Sequence, residues 1–128
     1  MAGETDLGKL ISTMQPVLGE TEYVFASLDR DSPITVTALA PLGMFYEKEG
    51  LTVIVLKSIA DILGITYQGV YQCITLKVHS SLEAVGLTAA VSCALANEGI
   101  SANVVAAYYH DHIFVPVAKA NQALSCLL

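Results

Sequence analysis

The chain has 128 residues, the size of one ordinary domain or of two very small ones packed together. It is 54% hydrophobic and only 14% charged, too apolar for disorder, and carries a formal net charge of −6. Six cations against twelve carboxylates leave no clustered patch for nucleic acid or an anionic membrane, so neither is expected as a partner.

Near the start, Leu7, Leu10, Ile11 and Met14 fall at helical spacing, with Thr5 or Asp6 as N-cap and Pro16 near the stop, which predicts a helix over 7–17. Residues 20–28 carry Tyr23, Val24 and Phe25 and read as a strand, followed by the turn cluster Asp29-Arg30-Asp31-Ser32-Pro33. Residues 44–49 and 51–56 read as two strands about Gly50, and Leu51-Thr52-Val53-Ile54-Val55-Leu56 is apolar enough to be central. A short helix over 58–63 and a connector over 64–69 complete the first half.

Residues 71–79 alternate with period two, setting Cys73, Thr75 and Lys77 against Ile74, Leu76 and Val78. Ser80 and Glu83 approximate a capping box, which predicts a helix over 84–98 with the stripe Leu87, Val91 and Leu95, closed by Gly99. Small residues on its other side (Ala89, Ala90, Ser92, Cys93, Ala94, Ala96) predict burial of both faces, one against the sheet and the other against a neighbour, either the N-terminal unit or a second subunit. A strand over 101–109, a reversal at His110-Asp111-His112, a strand over 113–117 and a helix over 118–128 follow.

That order, β-α-β-β-α, is nearly the ferredoxin-like βαββαβ unit without its last strand. A strand of the first half is therefore expected to complete the second sheet. The fold class is α+β, with tandem units over 1–66 and 67–128 whose antiparallel sheets share elements. Below about 70 residues a solitary core rarely suffices, so the halves should be inseparable.

No apolar run reaches the length of a membrane span. The acidic N-terminus lacks the cationic segment of a secretory leader, and three cysteines without CxxC spacing suit free thiols, so a cytoplasmic setting is expected. The low charge suggests burial against another copy, a homodimer or higher homo-oligomer.

The loop between residues 79 and 86 leads from a strand into a helix N-terminus, where unpaired backbone N–H groups and the dipole favour an anion. Within the first turn Gly86 leaves room for a ligand carboxylate, Ser80 and Ser81 offer hydroxyls, and Glu83 can meet an ammonium group. An amino acid has one anion and one cation, and this loop offers partners for both. In the plainer reading the serines only cap the helix and Gly86 only lets it pack closely. Cys73 and Cys93 read as small core hydrophobes. Cys73 lies about 20 Å along one strand from His79, too far for a nucleophile–base pair. No phosphate loop, dinucleotide fingerprint or nucleophile elbow is present, so no cofactor and no catalysis are expected.

Residues Val78-His79-Ser80-Ser81-Leu82-Glu83-Ala84-Val85-Gly86-Leu87-Thr88-Ala89-Ala90-Val91 resemble the first strand, loop and helix of an ACT domain. Leu95-Ala96-Asn97-Glu98-Gly99-Ile100-Ser101-Ala102-Asn103-Val104 is similar to the helix-to-strand junction of those domains, and Tyr109-His110-Asp111-His112-Ile113-Phe114-Val115-Pro116 to the next hairpin in stand-alone tandem ACT proteins. Phe45-Tyr46-Glu47-Lys48-Glu49-Gly50-Leu51-Thr52 is similar to the N-terminal unit of that group. The resemblance covers most of the chain, strongly from Cys73 to Val117 and loosely before Met44. It implies a ferredoxin-like regulatory module, often attached to enzymes such as aspartate kinase, that binds small amino acids where two units meet. It also implies that Asn103 of the neighbouring unit closes the pocket, so the expected ligand-binding set is His79, Ser80, Ser81, Leu82, Glu83, Ala84, Val85, Gly86 and Leu87, with Asn103, His110 and His112, and a regulated enzyme is an expected partner.

Two alternatives stand beside the sensor. His79, His110 and His112 flank one end of the predicted sheet and, with Asp111 or Glu83, would suit zinc or another divalent metal; a hairpin turn that splays its imidazoles apart is the plainer explanation. In a third reading the same histidines hydrogen-bond a ligand carboxylate and make binding pH-sensitive. A scaffolding subunit of a larger complex is the other alternative; it predicts no small-molecule response.

Overall fold

The computed structural model describes residues 13–77 and 86–128. The described elements are β1 (Pro16–Leu28), α1 (Val36–Leu39), β2 (Gly43–Tyr46), β3 (Leu51–Leu56), α2 (Lys57–Leu63), β4 (Tyr71–Leu76), α3 (Leu87–Ala96), β5 (Asn103–Ala106), β6 (Asp111–Pro116) and α4 (Ala120–Leu127), the last led by a 3-10 turn at Val117–Lys119. The strands form one antiparallel sheet in the order β2-β3-β1-β4-β6-β5, and the expected α+β ferredoxin-like architecture is present.

The chain divides into two compact units. One is residues 21–71; the described part of the other is residues 13–20, 72–77 and 86–128. β1 runs through both, giving residues 16–20 to one and 21–28 to the other. Within the 21–71 unit it pairs antiparallel with β3, Val24 facing Val55 and Leu28 facing Leu51. β-branched Val53, Ile54 and Val55 favour the pleated conformation, and Val24, Val53 and Val55 are fully buried with Leu39 and Ala60.

In the other unit the first residues of β1 stand beside β4. The Lys77 N–H donates to the Gln15 carbonyl at 3.3 Å, and Gln72 Nε2 to the Gly19 carbonyl at 3.0 Å. This supplies the strand that the βαββα segment lacks. Ile74 and Leu76 of β4, Ile113 and Val115 of β6, and Leu87, Val91 and Leu95 of α3 form the core, closed by Met14, Ile100, Ala120, Ala123 and Leu127.

Several elements differ from the sequence reading. The helix over 7–17 lies mostly outside the described residues; of its described end, Thr13 is helical, Gln15 takes a left-handed φ of 53°, and Pro16 begins β1. Pro16, its φ already fixed and with no N–H to offer, suits a strand start better than a helix end. α1 was not foreseen, although Thr35 announces it: Thr35 Oγ1 accepts from the Ala38 N–H at 3.1 Å. The reversal placed at His110-Asp111-His112 falls earlier, because Ala106 pairs with Asp111 and the loop is residues 107–110. Asp111 was the only strong turn former nearby, and the loop Ala-Tyr-Tyr-His has none. Ala89, Cys93 and Ala96 of α3 are exposed in the single chain, on the face for which the sequence reading expects a neighbour. Among the described residues no helix is long and apolar enough to cross a membrane.

Candidate functional site

Of the expected ligand-binding residues, His79, Ser80, Ser81, Leu82, Glu83, Ala84 and Val85 lie outside the described residues. The next two begin α3, and the structure gives them unlike roles. Gly86 is the N-cap, with φ 97° and ψ −16°, a backbone that an L side chain rarely adopts. The helix starts at Leu87, three residues later than the expected start at residue 84, and its first hydrogen bond runs from the Ala90 N–H to the Gly86 carbonyl at 2.8 Å. A glycine cap has no side chain with which to accept from the first-turn N–H groups. Leu87 puts its side chain into the core at 2% exposure, so its backbone N–H is what it can offer to a ligand.

Asn103 opens β5, exposed and in register with Phe114. His110 and His112 come together, their rings 6.5 Å apart and edge to face. His112 Nδ1 is 3.0 Å from Thr75 Oγ1, which sets the start of β6 beside the end of β4, where the chain leaves toward α3. Ile113 and Val115 turn to the helices, so His112 and Phe114 lie on the opposite sheet face, as do Cys73 and Thr75. His110 Nδ1 is buried without a hydrogen-bond partner among the described residues. Burial first, and then the charge of nearby His110, push the His112 pKa below the ordinary histidine value; Lys77 adds to this and Asp111 opposes it.

Among the described residues no group of three His, Cys, Asp or Glu side chains is placed to hold a metal, and His79 and Glu83 are not among them. All three cysteines are free thiols. Burial raises the pKa of Cys73, which keeps it protonated and unreactive, whereas Cys93, expected in the core, is exposed. Sequence reasoning treated residues 29–33 only as a turn. The structure lines a cavity with part of that turn, and the available signal was Arg30, the sole arginine of the chain.

A model of the ACT domain matches residues 2–72, and a second ACT-domain model matches residues 68–128. Among solved structures, a Vibrio cholerae protein of unknown function, described as a possible transport protein, is 46% identical, with a TM-score of 0.85 over 99% of this chain and 96% of that one. An Agrobacterium tumefaciens protein is 17% identical, with a TM-score of 0.72 over 88% of this chain and 84% of that one. The ligand-free regulatory subunit of aspartate kinase from Thermus thermophilus is 12% identical, with a TM-score of 0.61 over 88% of this chain and 93% of that one. The last two establish likeness of fold alone. A comparison with curated proteins finds no match.

Proposed function

We infer the function from one premise: the chain belongs to the ACT-domain family. The reading this supports best is a regulatory module that binds a free amino acid and performs no chemistry of its own. The observation that carries it is the tandem match, one ACT domain over residues 2–72 and a second over 68–128, on a fold shared with a regulatory subunit of aspartate kinase. In this reading the two units are residues 1–66 and 67–128, the protein works in the cytoplasm as a homodimer or higher homo-oligomer, and an enzyme is the regulated partner.

The proposed site is the segment His79 to Leu87 with Asn103, His110 and His112. A glycine N-cap supports it, because α3 begins with backbone N–H groups that the cap residue itself leaves unpaired, and a carboxylate fits there. Binding would act by population shift, the ligand favouring the arrangement in which its loop and interface are ordered.

Thermal unfolding of the full chain against each of the twenty amino acids tests this reading. A ligand at about 100 times its Kd adds about 2.7 kcal/mol, a rise of several degrees in Tm for a domain of this size. The reading predicts such a rise for one or a few amino acids. No rise with any of them contradicts it.

A further inference from the structure

The hairpin β5–β6 brings two imidazoles together, and each keeps one nitrogen uncommitted. His110 is half-buried, and its Nδ1 is enclosed with no hydrogen-bond partner among the described residues. Enclosing a ring nitrogen costs its hydration, and without a bond nothing is gained in return, so this atom is available to a further group. His112 is committed at one nitrogen: its Nδ1 meets Thr75 Oγ1 at 3.0 Å, and that oxygen lies 3.9 Å from Cys73 Sγ. With its proton on Nδ1 and donated to Thr75, the His112 ring holds a lone pair at Nε2.

The ring centroids are 6.5 Å apart and the ring planes stand at 86°. A zinc ion at about 2.0–2.1 Å from one nitrogen of each ring sets the centroids about 5.2 Å apart at a tetrahedral angle, and about 6.4 Å apart when the rings oppose each other. The observed spacing is at the wide end, and a shift of about 1 Å reaches the tetrahedral one. The hairpin loop has room to make it: the Ala107 N–H donates to the His110 carbonyl at 3.1 Å, and Tyr108 and Tyr109 between them are exposed. Burial, and then the charge of His110, hold the His112 pKa below the ordinary histidine value, which keeps the imidazole in the neutral form that ligates. Of the charged groups near it, Asp111 favours a cation, whereas Lys77, exposed just past the end of β4, opposes one.

We propose that His110 Nδ1 and His112 Nε2 together bind one transition-metal ion of the zinc class, with water in its remaining positions and Thr75 fixing the His112 ring. Imidazole suits zinc, copper and nickel, and a ligating imidazole is oriented by the bond its other nitrogen makes, which is the part Thr75 plays. The ion needs no amino acid, so this proposal and the function inferred above fail separately.

The test is a zinc chloride titration of the ¹⁵N-labelled full chain, treated with chelator and free of amino acids, followed by long-range ¹H–¹⁵N correlations of the imidazole rings. Zinc should bind saturably, one ion to each chain, and shift the Nδ1 signal of His110 and the Nε2 signal of His112 together. His110→Ala and His112→Ala should each abolish this binding while the amide spectrum keeps its dispersion. Thr75→Val leaves both imidazoles in place and removes the hydroxyl, and it should weaken zinc binding by about 10- to 100-fold. Cys93→Ser, which removes the exposed thiol, should leave zinc affinity as it was. Ring nitrogens that stay unmoved at millimolar zinc would overturn the proposal. So would zinc affinity that is unchanged in His112→Ala or lost in Cys93→Ser.

Discussion

His112 shows how one side chain ties the sheet to its environment. Its Nδ1 meets Thr75 Oγ1 at 3.0 Å, and burial with the neighbouring His110 holds its pKa below the ordinary value of 6.5. The unfolded chain therefore binds more protons than the folded one as pH falls below that ordinary value. The contribution of His112 is complete above the unfolded pKa and is lost as pH falls through the lower folded pKa. Tm should accordingly drop as pH falls below the ordinary histidine value of 6.5, and the drop should be smaller in His112→Asn. Equal slopes in the two proteins would show that His112 is not the source. The sequence brought His110 and His112 into view as a pair, but not their face. That depends on where the hairpin turns, and the Ala-Tyr-Tyr-His loop has no residue that marks the turn.

At the scale of elements, the most legible features were those with uninterrupted periodicity. Leu87, Val91 and Leu95 recur every fourth residue and are buried to within 2% exposure, and the apolar run of β3 became a strand paired on both sides. Helix ends were less legible, because a cap is a backbone conformation that several residue types signal. Ser80 and Glu83 suggested one start for α3, whereas the left-handed φ of 97° at Gly86 makes the observed one. This also changes what Gly86 is for: its backbone requires glycine whether or not a ligand approaches. Gly86→Ala should cost about 1–2 kcal/mol in a urea titration with the slope unchanged, and Gly86→Asn less, because asparagine tolerates the left-handed region. Valine at this position would strain the backbone itself, so loss of binding in Gly86→Val could not be assigned to the ligand. No cost in Gly86→Ala would contradict the observed cap.

At the scale of the whole molecule, the missing fourth strand was legible by counting, because a βαββα segment leaves one side of its sheet unpaired. Which strand would fill it was not, since the helix reading of residues 7–17 hid the first residues of β1. The consequence is that residues 67–128 are not self-sufficient. They lack buried Met14, the packing of Leu18, and the Gln15 and Gly19 carbonyls to which Lys77 and Gln72 donate. The fragment 67–128 should show no cooperative thermal transition, whereas the full chain should show one; a cooperative transition in the fragment would refute the shared-strand account.

The proposed binding of a free amino acid by this tandem ACT chain is tested by equilibrium dialysis of the purified full chain against a mixture of all twenty amino acids, with each quantified on both sides of the membrane. One or a few amino acids should accumulate with the protein, saturably and at a simple ratio to the chain. Equal concentrations of all twenty on both sides, at millimolar protein and ligand, would contradict the claim.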